Sequence, residues 1–354
     1  MNEITEYQSV FKSPQAEAAY MTAYDSALKK WPVPYEAKYV PTSFGDTYVI
    51  VSGPVDGEPL ILMHGYGSNA THWSLNVATL AQSYRVYALD IMGSVGRSRP
   101  LKVCSDGTEY ANWLTEVLDA LKIEKANMVG YSFGGFLTAL YALEKPERLK
   151  KVVLLAPAAT ILPFSKKWNF KSTFPGMVAG FAINVYDVRR SLSYALDGSI
   201  QMLNVPKEEL AENDEDIAAL MPTFGEESLE EYRKRIDSLL KSSIKNIFAP
   251  GNFTEKGYPE LFWEILAGIE YGVPVLKFGP YPLADEDIQK IKTPTLLLLG
   301  DHEILYEANQ AIKRAEELAE NIKTAIIPNA GHAVNWEQTK QVNSHILDFL
   351  SEDK

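Results

Sequence analysis

The nine residues Asn127-Met128-Val129-Gly130-Tyr131-Ser132-Phe133-Gly134-Gly135 govern how the rest of the chain is read. An apolar strand runs into G-x-S-x-G-G, and a helix-like segment, Phe136 to Leu143, follows at once. A nucleophile elbow has that order: the strand delivers Ser132 into a turn so sharp that its hydroxyl stands clear of the sheet. Gly130 and Gly134 lack the Cβ atoms that would collide there. The new helix then turns its positive end and free N–H groups toward the reacting centre. A bare G-x-S-x-G is a weak signal, because glycine and serine are common. The strand before it, the helix after it and the second glycine make Ser132 the candidate nucleophile.

On both sides of this stretch one rhythm repeats. Pro59 to Met63 reads as a wholly apolar strand, followed by the turn His64-Gly65-Tyr66-Gly67 and a helix from about Ala70 to Gln82. Tyr84 to Leu89 is the next strand, ending at Asp90. The loop Gly93-Ser94-Val95-Gly96-Arg97-Ser98 leads to a helix over Tyr110 to Leu121. After the elbow helix, stopped by Pro146, comes a strand from Lys151 to Ala156. The pattern returns with a strand over Pro294 to Leu299, a helix over Ala308 to Ala319, a strand over Thr324 to Ile327 and a helix from about Thr339 to Leu350. Apolar strands alternating with helices predict an α/β fold, with a mostly parallel sheet covered on both faces.

Two stretches depart from the rhythm. Near the N-terminus, Ser13-Pro14 opens a helix that ends near Trp31-Pro32, with Ser13 as N-cap and Pro14 at the first helical position. Two β-like segments, Ala37 to Pro41 and Thr47 to Ser52, then form a hairpin around Phe44-Gly45-Asp46. Between Thr160 and Ile291 the alternation lapses into an aromatic-rich region with expected helices over Asp187 to Leu196, Ser228 to Leu240 and Tyr258 to Ala267. A loop of that length without structure is implausible, so it reads as an inserted helical cap. Its acidic run, Glu208 to Asp216, reads as a solvated face. The expected organisation is an arm over residues 1–34, a core over 35–159 and 292–354, and a cap over 160–291.

Composition narrows the classes. With 354 residues, 46% of them hydrophobic and 23% charged, the chain buries a sizeable core. A net charge of -12 disfavours nucleic acid and anionic membrane surfaces as partners. The one cysteine, Cys104, excludes an internal disulfide and a cysteine-based metal cluster, and five dispersed histidines suggest no metal site. No run approaches the ~18 apolar residues of a membrane span. The N-terminus lacks signal-peptide character, which predicts a cytoplasmic location. Oligomeric state is not readable.

An elbow serine needs a base, a group that orients the base, and donors for an oxyanion. In an open α/β sheet these come from the carboxyl ends of the strands. His332, in Ala330-Gly331-His332 past the last strand, is the expected base; His64, His72, His302 and His345 fit less well. Two carboxylates crowd the turn after Gly300. Asp301 is placed to bond the turn's own backbone, while Glu303 has the longer reach and is the favoured orienting acid, with Asp301 the alternative. For the oxyanion, the expected donors are the backbone N–H groups of Phe133, after the nucleophile, and of Tyr66, in the glycine-bracketed turn. His64 is expected to brace that turn. Gly93-x-x-Gly96 lacks the lysine of a phosphate loop and reads as a tight strand-to-helix connection.

On these residues the chain resembles the α/β-hydrolase superfamily from about Tyr35 onward. His64-Gly65-Tyr66-Gly67 is similar to the family's H-G-x-G oxyanion turn, and Gly130-Tyr131-Ser132-Phe133-Gly134-Gly135 to its elbow. Ala330-Gly331-His332 is similar to its histidine loop. Asp90 with Gly96-Arg97-Ser98 resembles its D-x-x-G-x-G-x-S loop, although Met92-Gly93-Ser94-Val95 departs from that pattern. The family's acid stands three residues after the strand-ending glycine, and here that position is Glu303. Glu in place of Asp resembles bacterial serine carboxylesterases.

The expected function is hydrolysis of carboxylic esters by Ser132, His332 and Glu303 through an acyl-enzyme, with no cofactor, on small and apolar ester substrates held beneath the cap. An acyltransferase, or a C–C or thioester hydrolase, uses the same apparatus. A non-catalytic ligand receptor is the alternative from another class.

Overall fold

The computed structural model describes residues 6–165, 245, 247–253, 272 and 278–352. Its elements follow from the apolar runs. Helix α1 (Pro14–Leu28) starts where Ser13 Oγ accepts the Ala16 N–H at 3.1 Å. Strands β1 (Tyr35–Thr42) and β2 (Gly45–Ser52) form the expected hairpin, register Thr42 to Gly45 at its tip. Strands β3 (Glu58–Met63), β4 (Tyr84–Leu89), β6 (Ala126–Tyr131), β7 (Leu149–Leu155), β8 (Thr295–Gly300) and β9 (Ile322–Ile327) carry the parallel sheet. A short β5 (Arg99–Pro100), not expected from sequence, pairs with β2.

The sheet runs β1-β2-β4-β3-β6-β7-β8-β9, antiparallel through its first two pairings and parallel from β4 onward. Every residue of β6 and β8 is buried, because helices cover both faces of the sheet. These helices are α2 (Ser74–Leu80), α3 (Gly107–Ala120), α4 (Phe133–Glu144), α5 (Asp285–Lys290), α6 (Ala308–Leu318), the single turn α7 (Val334–Glu337) and α8 (Thr339–Ser351). Each large side chain kept from water, Trp73, Trp113 and Phe136 among them, contributes roughly 1.5–3 kcal/mol or more.

Several boundaries differ from the sequence reading. Helix α4 begins at Phe133 rather than Phe136, because the Phe136 N–H already bonds the Ser132 carbonyl at 3.0 Å. Helix α3 begins at Gly107, capped by Asp106 Oδ1 on the Glu109 N–H. The helix expected from Ala70 opens as a 3-10 turn, Ala70–Trp73, capped by Asn69.

The expected cap helices over 187–196, 228–240 and 258–267 lie outside the described residues. What is described is where the insertion joins the core: the Leu283 N–H bonds the Thr160 carbonyl at 3.0 Å, and Arg314 bonds the Ile161 and Leu283 carbonyls. Departing and returning strands of chain are thereby pinned side by side.

Candidate active site

Ser132 sits at φ 52° and ψ -115°, a left-handed position that costs about 1–3 kcal/mol for a residue with a Cβ. The surroundings over-determine it. Its N–H bonds the Leu155 carbonyl at 2.9 Å, and its own carbonyl accepts the N–H groups of Phe136 and Ala158 at 3.0 Å each. A Cβ at Gly134 would stand 2.3 Å from the Met63 carbonyl oxygen, and one at Gly130 would stand 2.3 Å from that of Gly134. Neither position accepts a side chain, so the elbow packs directly on the end of β3.

Three side chains converge here. Ser132 Oγ lies 2.9 Å from His332 Nε2. His332 Nδ1 lies 2.9 Å from Glu303 Oε2 and 3.1 Å from Oε1. The Glu303 side chain is wholly buried, and its Oε1 also accepts the N–H groups of Ile304 and Leu305 at 2.9 Å each. The carboxylate's orientation is therefore set by its own turn.

Asp301 is not at the imidazole. Its Oδ1 accepts the Ala330 N–H at 3.1 Å and pairs with His302 Nδ1 at 2.7 Å, partly exposed. Asp301 ties the β8 turn to the histidine loop, and the His302 N–H repeats that tie on the Ala330 carbonyl at 2.9 Å. His345, on α8, and His302 stand away from the serine's partners.

Across the serine, the turn after β3 approaches closely enough that a Cβ at Gly65 would lie 3.3 Å from Ser132 Cβ. The rings of Tyr66 and Phe133 meet edge-on, centroids 6.5 Å apart. Neither backbone N–H of this pair has a hydrogen-bond partner among the described residues. His64, fully buried, braces the turn: Nδ1 donates to the Gly65 carbonyl at 2.8 Å, and Nε2 accepts the Ile91 N–H at 3.0 Å. That pair of bonds requires the neutral tautomer, and burial pushes its pKa down to about 4.

Asp90, at the end of β4, is a structural hub. Its Oδ1 accepts the Ala70 N–H at 2.7 Å, its Oδ2 the Arg97 N–H at 2.6 Å, and its carbonyl the Ser98 hydroxyl at 2.7 Å. The Gly93–Ser98 loop is thus folded inward on a buried carboxylate.

Two supports escaped the sequence reading. Glu337 Oε1 accepts the Gly331 N–H at 2.7 Å, while its Oε2 accepts the Ala249 N–H at 2.7 Å and Asn252 Nδ2 at 2.8 Å. Burial pushes the Glu337 carboxyl upward. His72 stacks on Tyr131 at 4.6 Å and accepts from Asn335 Nδ2 at 3.1 Å, joining elbow and histidine loop; burial lowers its pKa too. A buried polar partner hundreds of residues away leaves no local signal, although a lone acid just past a histidine loop is a hint for Glu337.

An α/β core that presents serine, carboxylate and histidine from the carboxyl ends of β6, β8 and β9, with a glycine turn facing them, defines a hydrolase-type architecture. The sequence profile of the α/β hydrolase fold matches residues 58–339, and the chain belongs to that family. Within the family it is similar to bacterial carboxylesterases. It is 32% identical to the carboxylesterase nap of Bacillus subtilis over 332 residues, covering 94% of this chain and 92% of that one. To the carboxylesterase YbfK of the same organism it is 29% identical over 346 residues, covering 96% of each. The crystal structure of that enzyme (CesB) superposes with a TM-score of 0.75 at 26% identity, over 96% of this chain and 100% of that one. The naproxen esterase of Bacillus subtilis superposes with a TM-score of 0.70 at 28% identity, over 96% and 100%.

Proposed function

We propose that this chain cleaves carboxylic esters with Ser132 as nucleophile, His332 as acid and base, and Glu303 as the group that orients the histidine. The chain is a carboxylic ester hydrolase; the residue roles are the further step. The carrying observation is the continuous chain from Ser132 Oγ through His332 Nε2 and Nδ1 to Glu303, at 2.9 Å for each closest link. Ser132 Oγ attacks the ester carbonyl carbon as its proton passes to His332 Nε2. The carbonyl electron pair moves onto oxygen, where the N–H groups of Tyr66 and Phe133 receive it; one such donor is worth about 2.7–4 kcal/mol. The C–O bond then breaks, and the alcohol leaves with the proton from His332. Water, deprotonated by the same nitrogen, releases the acid from the acyl-serine. Glu303 accepts the Nδ1 proton in a hydrogen bond, so that Nε2 is free to accept from Ser132.

Substrates are small esters with an apolar acyl or alcohol group. Support comes from Tyr66, Phe133, Tyr110 and Phe278, whose rings follow one another from the serine toward the start of the returning chain. No helix among the described residues is long and apolar enough to cross a membrane. The test is hydrolysis of p-nitrophenyl esters of graded acyl length, with labelling by a fluorophosphonate. Ser132→Ala is expected to abolish labelling and to lower kcat by about 10⁴–10⁶. Labelling that survives Ser132→Ala sinks the assignment.

A further inference from the structure

Helix α1 lies outside the stretch that carries the family match, residues 58–339. Two of its tyrosines nevertheless pass their hydroxyls into the support of the turn after β3. Both are almost fully buried, at 1% exposure. Tyr24 donates to Asp90 Oδ1 at 3.1 Å, the oxygen that also accepts the Ala70 N–H. Tyr20 accepts from Asn69 Nδ2 at 2.9 Å and donates to the Val95 carbonyl at 3.2 Å. Asn69 Oδ1 in turn caps the 3-10 turn through the Thr71 N–H at 2.8 Å. So two residues just past His64-Gly65-Tyr66-Gly67 and Ser68 are moored to α1, Asn69 directly and Ala70 through Asp90.

A second path reaches the same turn. The residue after Asp90, Ile91, donates to His64 Nε2, and His64 Nδ1 donates to the Gly65 carbonyl. The Gly65–Tyr66 peptide is trans, so that carbonyl and the Tyr66 N–H lie in one plane and point opposite ways. Fixing the one aims the other.

We infer that α1 is a positioning element for the reaction: through Tyr20 and Tyr24 it holds the turn in the orientation that directs the Tyr66 N–H at the oxyanion on Ser132. The inference rests on the oxyanion role assigned to Tyr66 above. An arm that merely docks has no need to bond Asn69, or the carboxylate that holds Ala70, a few residues past that turn. The segment after α1 supplies the contrast. Trp31 Nε1 donates to Ser52 Oγ at 3.0 Å, another buried anchor, which ends on β2 and is not linked to the turn after β3 by any of these bonds.

The experiment compares Tyr20→Phe, Tyr24→Phe, their double variant and Ser52→Ala in the full chain. Each Phe keeps the ring and deletes only the hydroxyl. Readouts are kcat and KM on a p-nitrophenyl ester, Tm, and the Ki of a trifluoromethyl ketone. That ketone adds Ser132 Oγ to its carbonyl carbon, moves the electron pair onto oxygen and sends the serine proton to His332, so its Ki reports on the oxyanion donors directly. Each tyrosine variant is expected to lose about tenfold in kcat and to weaken ketone binding in parallel, with KM within about twofold, as small displacements of a reacting geometry do. Ser52→Ala is expected to lower Tm comparably while leaving kcat and Ki unchanged. Tyrosine variants that lose Tm but keep kcat and Ki overturn the inference, as does a rise confined to KM. Should the double variant fail to fold, the single variants carry the comparison. If the ketone does not inhibit the parent protein, or Ser132→Ala keeps its turnover, the serine reading itself falls, whatever the tyrosine variants do.

Discussion

The turn after β3 and the loop after β9 both reach Ser132, and the groups that brace them directly differ in charge. The β3 turn is held by a neutral imidazole, His64, with Asp90 one layer further back. The β9 loop is held by carboxylates: Asp301 on the Ala330 N–H, Glu337 on the Gly331 N–H and Glu303 on the His332 ring. The proposed reaction accounts for the difference. In that proposal negative charge develops beside Tyr66, where a carboxylate brace would repel it, and positive charge develops on His332, where carboxylates stabilise it. The side that receives negative charge in that proposal is braced by a neutral group, and the side that receives positive charge by carboxylates.

Exchanging charge for neutrality on the histidine side has the largest expected effect. In Glu303→Gln the amide oxygen is drawn to the Ile304 and Leu305 N–H groups, which leaves the NH₂ facing His332 Nδ1. The ring must then carry its proton on Nε2 and cannot accept from Ser132. We expect kcat to fall by about 10³–10⁴, the loss seen when an orienting acid is neutralised and the tautomer inverted. A loss under tenfold in steady-state kinetics would show that the charge asymmetry is incidental.

Placing a charge on the neutral brace is the next largest. His64 in the fold has its pKa pushed down to about 4 from an ordinary 6.5, so between those values the unfolded chain binds more protons than the fold. Its contribution to stability is complete above pH 6.5 and is lost as pH falls through 4; it amounts to about 3 kcal/mol. Asp90 runs the other way, since burial raises its carboxyl to about 6 and its effect declines as pH rises from 3.8 through 6. Subtracting a His64→Gln variant isolates the histidine. The unfolding free energies of the two proteins, measured in urea, should converge as pH drops from 6.5 to 4. A constant gap would mean that His64 tolerates its proton in place.

How much of this was legible in the sequence depends on the range over which a residue acts. The apolar runs 59–63, 127–131 and 294–299 carried the sheet, because a strand buried on both faces is apolar almost throughout, Asn127 and Thr295 being the polar exceptions. The elbow was legible because strand, serine and glycines are contiguous. Helix α4 starts before the Phe136 that the sequence suggests, since packing on β3 overrides the poor helix preference of Gly134 and Gly135. Glu337 and the 247–253 segment were not legible, since Ala249 and Glu337 meet across 88 positions of chain. Nothing in the local sequence distinguishes Tyr20 and Tyr24, and only the fold gives their hydroxyls partners.

The smallest expected effect separates the two carboxylates that share a turn. Asp301 and Glu303 stand two residues apart, and in the sequence reach and the resembled family's spacing after Gly300 favour the glutamate. The fold adds a physical distinction: Glu303 is wholly buried and faces the imidazole, whereas Asp301 is partly exposed and bonds a backbone N–H and His302. Asp301→Asn keeps an oxygen for the Ala330 N–H and removes only a charge that solvent already screens. We expect kcat within about threefold of the parent and a stability loss of about 1 kcal/mol or less, the net worth of one partly solvated hydrogen bond. Both numbers come from one preparation, by ester kinetics and urea unfolding. A kcat loss rivalling that of Glu303→Gln would mean that the histidine loop is held in register by the exposed carboxylate, so that the charge on this side of Ser132 acts through the backbone rather than through the ring.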